Sequence, residues 1–218
     1  MAVDRGTFSL SHVSHREDDK NGIPKDADAA FVSRCQKGET AAFEELVERH
    51  QKKMINIAYR MTGSYDDACE IVQESFLSAY RAIKKFRGDA KFSTWLTGIT
   101  VNQAKNRLKQ MQSRSYHEIV SIDDPAGSES GVPAFDPPDP DPPALEQLEK
   151  KEVRIKLQEC VGALDSEYRE VLVLRDIEGL PYDEIGAALN IPDGTVKSRL
   201  FRARGFVKDC LKKALGEI

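Results

Sequence analysis

The sequence predicts an all-α fold of two small helical domains joined by a flexible linker. Apolar residues recur at spacings of three and four in both halves of the 218-residue chain, which is the period of amphipathic helices. Aromatic residues make up 7% of the sequence and charged residues 31%, and this balance favours helices over sheet. Between the halves lies a segment with seven of the ten prolines, where missing backbone donors oppose a helix.

These patterns divide the chain into four parts. Residues 1–26 are polar and lack periodicity, so we expect a disordered tail. Residues 27–113 form a first domain, expected to be a bundle of three to four helices, and residues 144–218 form a second domain. Residues 114–143 are acidic and proline-rich, which predicts either an inert spacer or an anionic strand that occupies a nucleic-acid channel.

Three long helices are expected in the first domain. They run from about Glu39 to Met61, from Tyr65 to Phe86 and from Phe92 to Ser113. Gly63-Ser64 separates the first two helices, and Arg87-Gly88-Asp89 forms a turn before the third. Each helix therefore presents one apolar face to a shared core.

The third helix has a polar stripe on its outer side. The stripe follows the spacing i, i+3, i+4, i+7 and consists of Asn102, Lys105, Asn106 and Lys109. Amides and ammonium groups in one row can bond base edges and phosphates. An ordinary solvated face explains the stripe about equally well.

The second domain is expected to contain about four helices. One helix returns at about Pro143 and continues to Gly162, and Asp165 or Ser166 caps the next. Two short helices follow, the first over residues 182–189. Asn190 tolerates a left-handed backbone and Pro192 cannot continue that helix, which together predict a tight turn. Asp193 is expected to cap the last helix.

The last helix separates into two faces. Val196, Leu200, Ala203 and Val207 share the buried one, whereas Lys197, Ser198, Phe201 and Arg202 share another. Phe201 is informative because a large aromatic on a cationic face does not serve the core. Cations for phosphates and guanines, a hydroxyl and an apolar group for thymine methyls favour a DNA-reading helix-turn-helix. A helical hairpin with a solvated basic side is the alternative.

Other features narrow the class of protein. The net charge of −4 hides a division, because Lys and Arg concentrate in residues 81–114 and 197–213. The four cysteines form no metal or redox motif, so we expect small core residues in a reducing cytosol. The histidines form no ligand cluster, and neither a metal nor another cofactor is expected. Without a signal peptide or an apolar span, the chain is expected to be cytoplasmic.

Two stretches carry a family resemblance. DACEIVQESFLSAYRAIKKF (67–86) and the following FRGDAKFSTWLTGITVNQAKNRL (86–108) resemble domain two of bacterial RNA polymerase sigma factors, closest to the extracytoplasmic-function (ECF) type. LPYDEIGAALNIPDGTVKSRLFRAR (180–204) resembles domain four of the same proteins. Both motifs occur in the right order, with the acidic connector between them. The resemblance covers residues from about Ala27 to Leu215.

The resemblance implies three groups of binding residues and no catalytic ones. The −35 promoter element would be read by Lys197, Ser198, Arg199, Phe201, Arg202 and Arg204. The −10 element would be opened and read by Phe86, Trp95, Asn102, Lys105, Asn106 and Lys109. Core polymerase would contact Glu70, Val72, Gln73, Glu74, Leu77 and Tyr80.

The implied partners are core RNA polymerase, through its β′ clamp helices and β flap, promoter DNA and an anti-sigma factor, without membrane insertion. The sequence departs from the family at Thr97 and Gly98, where an aromatic and a basic residue are common. Gly98 removes a possible phosphate contact.

Two other functions compete with this interpretation. A stand-alone helix-turn-helix regulator would explain residues 180–204 but leaves residues 67–109 without a role. An enzyme would need the acidic cluster Asp66, Asp67, Glu70 and Glu74 to bind a metal, and no other segment supplies converging ligands.

Overall fold

The computed structural model describes residues 26–120 and 144–216, with side chains for residues 26–113 and 152–216. In this part of the chain all regular secondary structure is helical and no strand is present, which confirms the all-α prediction. The first domain contains α1 (Ala29–Gln36), α2 (Ala41–Thr62), α3 (Tyr65–Ala82), a 3₁₀ turn (Ile83–Lys85) and α4 (Phe92–Val120). The second contains α5 (Ala144–Gly162), α6 (Ser166–Leu172), a π turn (Val173–Ile177), α7 (Tyr182–Leu189) and α8 (Asp193–Leu215).

The helix boundaries follow local chemistry. Gly63 has a φ of 79°, and this left-handed residue ends α2. The Ser64 side chain then caps α3 by accepting a hydrogen bond from the Asp67 amide, at 3.2 Å. Thr40 and Asp165 occupy the expected cap positions of α2 and α6, but neither side chain makes a capping bond.

Three helices differ from the sequence prediction. α3 ends at Ala82 and tightens into the 3₁₀ turn instead of reaching Phe86. α4 continues past Ser113 to Val120, because no proline interrupts the chain before Pro125. α1 was not predicted, since a helix of two turns carries too little periodicity to recognise. The predicted tail and most of the predicted linker lie outside the described residues.

The core of the first domain lies between α2, α3 and α4. Leu46, Met54 and Ile57 from α2 are fully buried against Phe92 and Leu96 from α4. The buried face of α4 is also lined by hydroxyls, because Thr97 and Thr100 donate to carbonyls one turn back. Because each hydroxyl makes a hydrogen bond within α4 itself, a threonine can occupy a buried position where an apolar residue would be expected.

A disulfide crosses the second domain. Cys160 of α5 is bonded to Cys210 of α8, with their Cα atoms 5.8 Å apart. The expectation of reduced cysteines is therefore wrong for this pair, whereas Cys35 and Cys69 are free. The pairing depends on how α5 crosses α8, and a separation of 50 residues in sequence conceals it.

The two domains pack against each other. α4 of the first domain lies along α7 of the second, and α2 contacts α5 and α6. The Arg60 guanidinium donates to the Gln158 side chain at 3.1 Å, and Lys91 forms a 2.7 Å ion pair with Glu184. The first helix of the helix-turn-helix, α7, is thus held against α4.

Candidate nucleic-acid and partner interfaces

The helix-turn-helix is built by a left-handed residue and a close backbone approach. Asn190 has φ 54° and ψ 48°, as expected, and it ends α7. The Ile191 amide then donates to the Gly186 carbonyl at 3.0 Å. A Cβ on Gly186 would lie 2.9 Å from the Ile191 carbonyl oxygen, so glycine lets the turn fold back onto α7. Asp193 is the first residue of α8 and not its cap, because Pro192 occupies that position.

The structure confirms the division of α8 into two faces. Val196, Leu200, Ala203 and Val207 are buried, whereas Lys197, Ser198, Phe201 and Arg202 are exposed. The Phe201 side chain is 81% exposed, the largest value among the exposed large apolar residues of the described chain. Such an aromatic in the middle of a cationic face is suited to contact thymine methyls or sugar edges.

Several cations of α8 already have partners within the chain. Arg204 forms a two-pronged pair with Asp176, with hydrogen bonds of 2.9 and 2.6 Å. Arg202 donates to the Tyr168 hydroxyl at 3.4 Å, a contact long enough to exchange easily. Arg199 contacts Glu167 at 2.8 Å. Lys197 lies over the Tyr182 ring, 5.9 Å from its centroid. The exposed face is centred on Phe201.

The polar stripe on α4 faces outward as predicted, apart from one residue. Asn102, Asn106 and Lys109 are exposed. Lys105 is directed at the second domain, where its ammonium lies 2.8 Å from the Glu170 carboxylate. The neighbouring Arg107 belongs to the first domain and pairs with Asp67 and Glu70.

Glu170 of α6 is a site residue that the sequence analysis missed. Its side chain is 2% exposed and meets both Lys105 of α4 and the Arg199 guanidinium, which lies 3.2 Å away. A buried carboxylate needs such charged partners, because desolvation alone would disfavour its ionised form. One signal was available in the sequence: an acid directly before the apolar run 171–174 is in an inward position.

Phe86 and Trp95 form an aromatic cluster with Phe92. The Phe86 and Trp95 ring centroids are 4.9 Å apart, and Phe86 meets Phe92 edge-on at 6.1 Å. Phe86 and Trp95, the two predicted DNA contacts in this cluster, are half-buried. Each ring therefore packs on the core with one side and is open to solvent on another. This cluster lies where the loop 86–91 enters α4.

The outer face of α3 exposes apolar side chains beside polar ones. Leu77 is 54% exposed and Tyr80 is 44% exposed, while Gln73 and Glu74 are also at the surface. Val72 was predicted on this surface but is only 5% exposed, because it faces the core of the first domain. The α3 surface, defined here as Gln73, Glu74, Leu77 and Tyr80, is therefore an exposed apolar patch with a polar rim.

An apolar groove of about 500 Å³ runs between α5, α6 and α8. Its apolar lining comprises Leu157, Val161, Leu172, Ile177, Val207 and Leu211, and its rim carries Asp176, Arg204, Lys208 and Lys212. The Cys160–Cys210 disulfide joins the same two helices, α5 and α8. Each helix in the described part of the chain is too short or too polar to cross a membrane.

Comparison with known families and structures agrees with this architecture. Residues 46–114 match the family model Sigma-70 region 2, and residues 154–207 match Sigma-70, region 4. The RNA polymerase sigma-H factor of Pseudomonas aeruginosa is 33% identical over 89% of this chain and 99% of its own length. The ECF RNA polymerase sigma-E factor of Haemophilus influenzae is 37% identical over 84% of this chain and 94% of its own length.

Solved structures extend the likeness to both domains. CnrH, in complex with the cytosolic domain of CnrY, superposes with a TM-score of 0.61 at 25% identity, covering 86% of this chain and 99% of CnrH. The sigma factor RpoE of Bartonella quintana, in complex with the anti-sigma factor NepR, shares the fold at a TM-score of 0.56 and 18% identity, over 78% of this chain and 96% of RpoE. With both regions matched in order along one chain, this protein belongs to the ECF family of bacterial RNA polymerase sigma factors.

Proposed function

We propose that the chain binds core RNA polymerase, directs it to promoters with two recognition elements and helps to open the −10 region. The observation that carries this function is that residues 46–114 and 154–207 of one chain match two different sigma-70 regions, in that order. In this proposal residues 27–113 bind polymerase and the −10 element, and residues 144–218 bind the −35 element. The chain itself catalyses no reaction.

The −35 element is read by the exposed face of α8. Lys197 and Arg202 bond phosphates and base edges, Ser198 adds a hydroxyl, and Phe201 supplies apolar contact. Arg199 and Arg204 contact phosphates after leaving their carboxylate partners. This exchange is feasible because half the Arg204 side chain is already exposed.

The −10 element is opened and held by the first domain. Phe86 and Trp95 offer ring surface on which unstacked bases can stack. This binding needs no ATP, because the stacking energy offsets the cost of unstacking the bases. Asn102 and Asn106 bond base edges, while Lys105 and Lys109 bind the backbone. Five of the six residues lie on α4, which sets their spacing. Phe86 lies in the loop before α4, with its ring centroid 4.9 Å from that of Trp95.

Polymerase contacts both domains. The α3 surface binds the β′ clamp helices, with Leu77 and Tyr80 as apolar anchors, Gln73 and Glu74 at the rim, and Glu70 adjoining it. The apolar groove of the second domain receives the β flap. Its apolar lining and the Lys208 and Lys212 side chains at its rim suit an amphipathic segment that carries acidic residues.

An anti-sigma factor holds this protein inactive, in this proposal, as the complexes of CnrH and RpoE with such partners suggest. The site of action is the cytoplasm. The stand-alone regulator is less favoured, because it leaves the match over residues 46–114 unused.

Run-off transcription tests the function directly. Purified chain and core polymerase are incubated with a pool of templates that carry random upstream DNA. Transcripts should begin at defined positions downstream of two shared sequence blocks. If the start sites are the same with and without the chain, the proposal is wrong. A gel shift of the selected promoter without polymerase separates the regulator, which should bind strongly alone.

A further inference from the structure

The loop 86–91 is fastened at both ends by the segment that contains α1. At one end, the Gln36 side chain donates to the carbonyls of Ile83 and Phe86, at 3.0 and 2.9 Å. At the other, the Asp26 carboxylate accepts a 2.7 Å bond from the Phe92 amide, which opens α4. A carboxylate at a helix N-terminus also interacts favourably with the helix dipole.

This fastening segment lies before the stretch matched by the family model, which begins at residue 46. Between its two attachment points are Phe86 and the exposed residues Arg87, Gly88 and Asp89. The aromatic cluster includes the residues at both ends of this loop, Phe86 and Phe92, together with Trp95. Movement of either end would therefore displace the rings that meet unstacked bases.

We propose that Asp26 and Gln36 are positioning residues for promoter opening. They touch no DNA and act by fixing the loop before DNA arrives, so that binding energy is spent on unstacking and not on ordering the loop. The inference rests on the proposed function of the first domain and adds residues that no family region assigns.

Open-complex formation by the reconstituted holoenzyme provides the test. Permanganate reactivity of thymines is measured on a duplex promoter and on the same promoter with a mismatched, premelted −10 region. Gln36→Ala and Asp26→Ala should slow opening of the duplex by roughly threefold to tenfold, the worth of one or two hydrogen bonds. The premelted template should rescue both variants.

Arg34→Ala is the matched control, because Arg34 lies on the same helix and the contacts that it loses, an exposed ion pair with Glu39 and the Phe31 ring, both lie outside the loop. Equal losses on both templates would show a merely structural role and overturn the inference, as would unimpaired opening. A wild-type holoenzyme that opens no promoter would instead contradict the proposed function.

Discussion

Arg169 of α6 donates a 2.6 Å hydrogen bond from Nη1 to the carbonyl oxygen of Met61 in α2, and so joins the two domains. Its Nη2 atom donates to the carbonyls of Gly162 and Leu164, the latter at 2.9 Å. Burial lowers the pKa of this guanidinium, and the nearby Asp165 partly opposes the effect. One buried arginine therefore bonds two carbonyls at the C-terminal ends of α2 and α5 and a third in the connection between α5 and α6.

Arg169→Met should lower the free energy of unfolding by about 1–3 kcal/mol. Three carbonyls lose their donor, and only part of that cost is recovered by removing a buried charge. Urea denaturation followed by circular dichroism measures the change, with the exposed Arg81→Met as control. A midpoint equal to that of the control would contradict the assigned role of Arg169.

The sequence alone predicts the local structure around α7 but not the role of Glu170. The bounds of α7, the left-handed Asn190 and the exposed Phe201 follow from local chemistry and helical period, and the structure confirms all three. Glu170 draws its partners from α4 and α8, so its role depends on a packing that no local pattern encodes. The sequence shows that Gly98 departs from the family pattern. The structural reason for a glycine there is the Ala188 carbonyl oxygen of α7, 2.5 Å from where a Cβ would lie, and this atom belongs to the other domain.

Reduction of the Cys160–Cys210 disulfide should lower the stability of the protein substantially. Closing a loop of 50 residues stabilises the folded chain by about 4 kcal/mol in the chain-entropy model. Adding a thiol-free phosphine reductant should therefore lower the urea midpoint of the wild type. A Cys160→Ala, Cys210→Ala double variant should start low and show no response. If reductant lowers both proteins equally, the effect comes from elsewhere.

Glu178 predicts a pH-dependent term in stability. Burial raises the pKa of this carboxyl, opposed by the hydrogen bond from Asn56 and by the charges of Lys53 and Arg60. Because the folded state binds the proton more tightly than the unfolded state, its contribution is favourable at low pH and is lost as pH rises through the folded-state pKa.

Glu178→Gln should thus stabilise the protein at neutral pH while keeping an acceptor for Asn56. The gain should shrink below pH 4.5, the ordinary value for this carboxyl, where both side chains are neutral. Urea titrations across that range measure the difference. Glu74→Gln, on the exposed face of α3, is the control. A gain that is independent of pH would contradict the role of the buried carboxylate.

Arg202→Ala tests the −35 assignment. Loss of a base-edge contact should cost about 1–3 kcal/mol of discrimination between the selected −35 sequence and a mismatched one. Affinity for core polymerase should stay unchanged, because Arg202 is exposed and is not one of the residues that line the apolar groove, and its hydrogen bond to Tyr168 is long, at 3.4 Å. Competition binding of the holoenzyme to the two promoters measures discrimination. Weaker polymerase binding with unchanged promoter preference would contradict the placement of α8.

Leu77→Glu tests the α3 surface. Leu77 is 54% exposed, so the substitution should leave the fold intact, whereas Tyr80 is a less clean target because its ring packs on Phe43 with centroids 5.0 Å apart. A charge placed in the centre of an apolar contact should weaken polymerase binding by at least tenfold, or about 1.4 kcal/mol.

Fluorescence titration of labelled chain with core polymerase measures the affinity, and the urea midpoint checks the fold. Phe201→Glu is the matched control, since it places the same charge on another exposed apolar residue, in the DNA-reading helix. That control should reduce promoter binding and keep polymerase affinity. Equal polymerase affinities for Leu77→Glu and Phe201→Glu would remove the α3 surface from the polymerase interface.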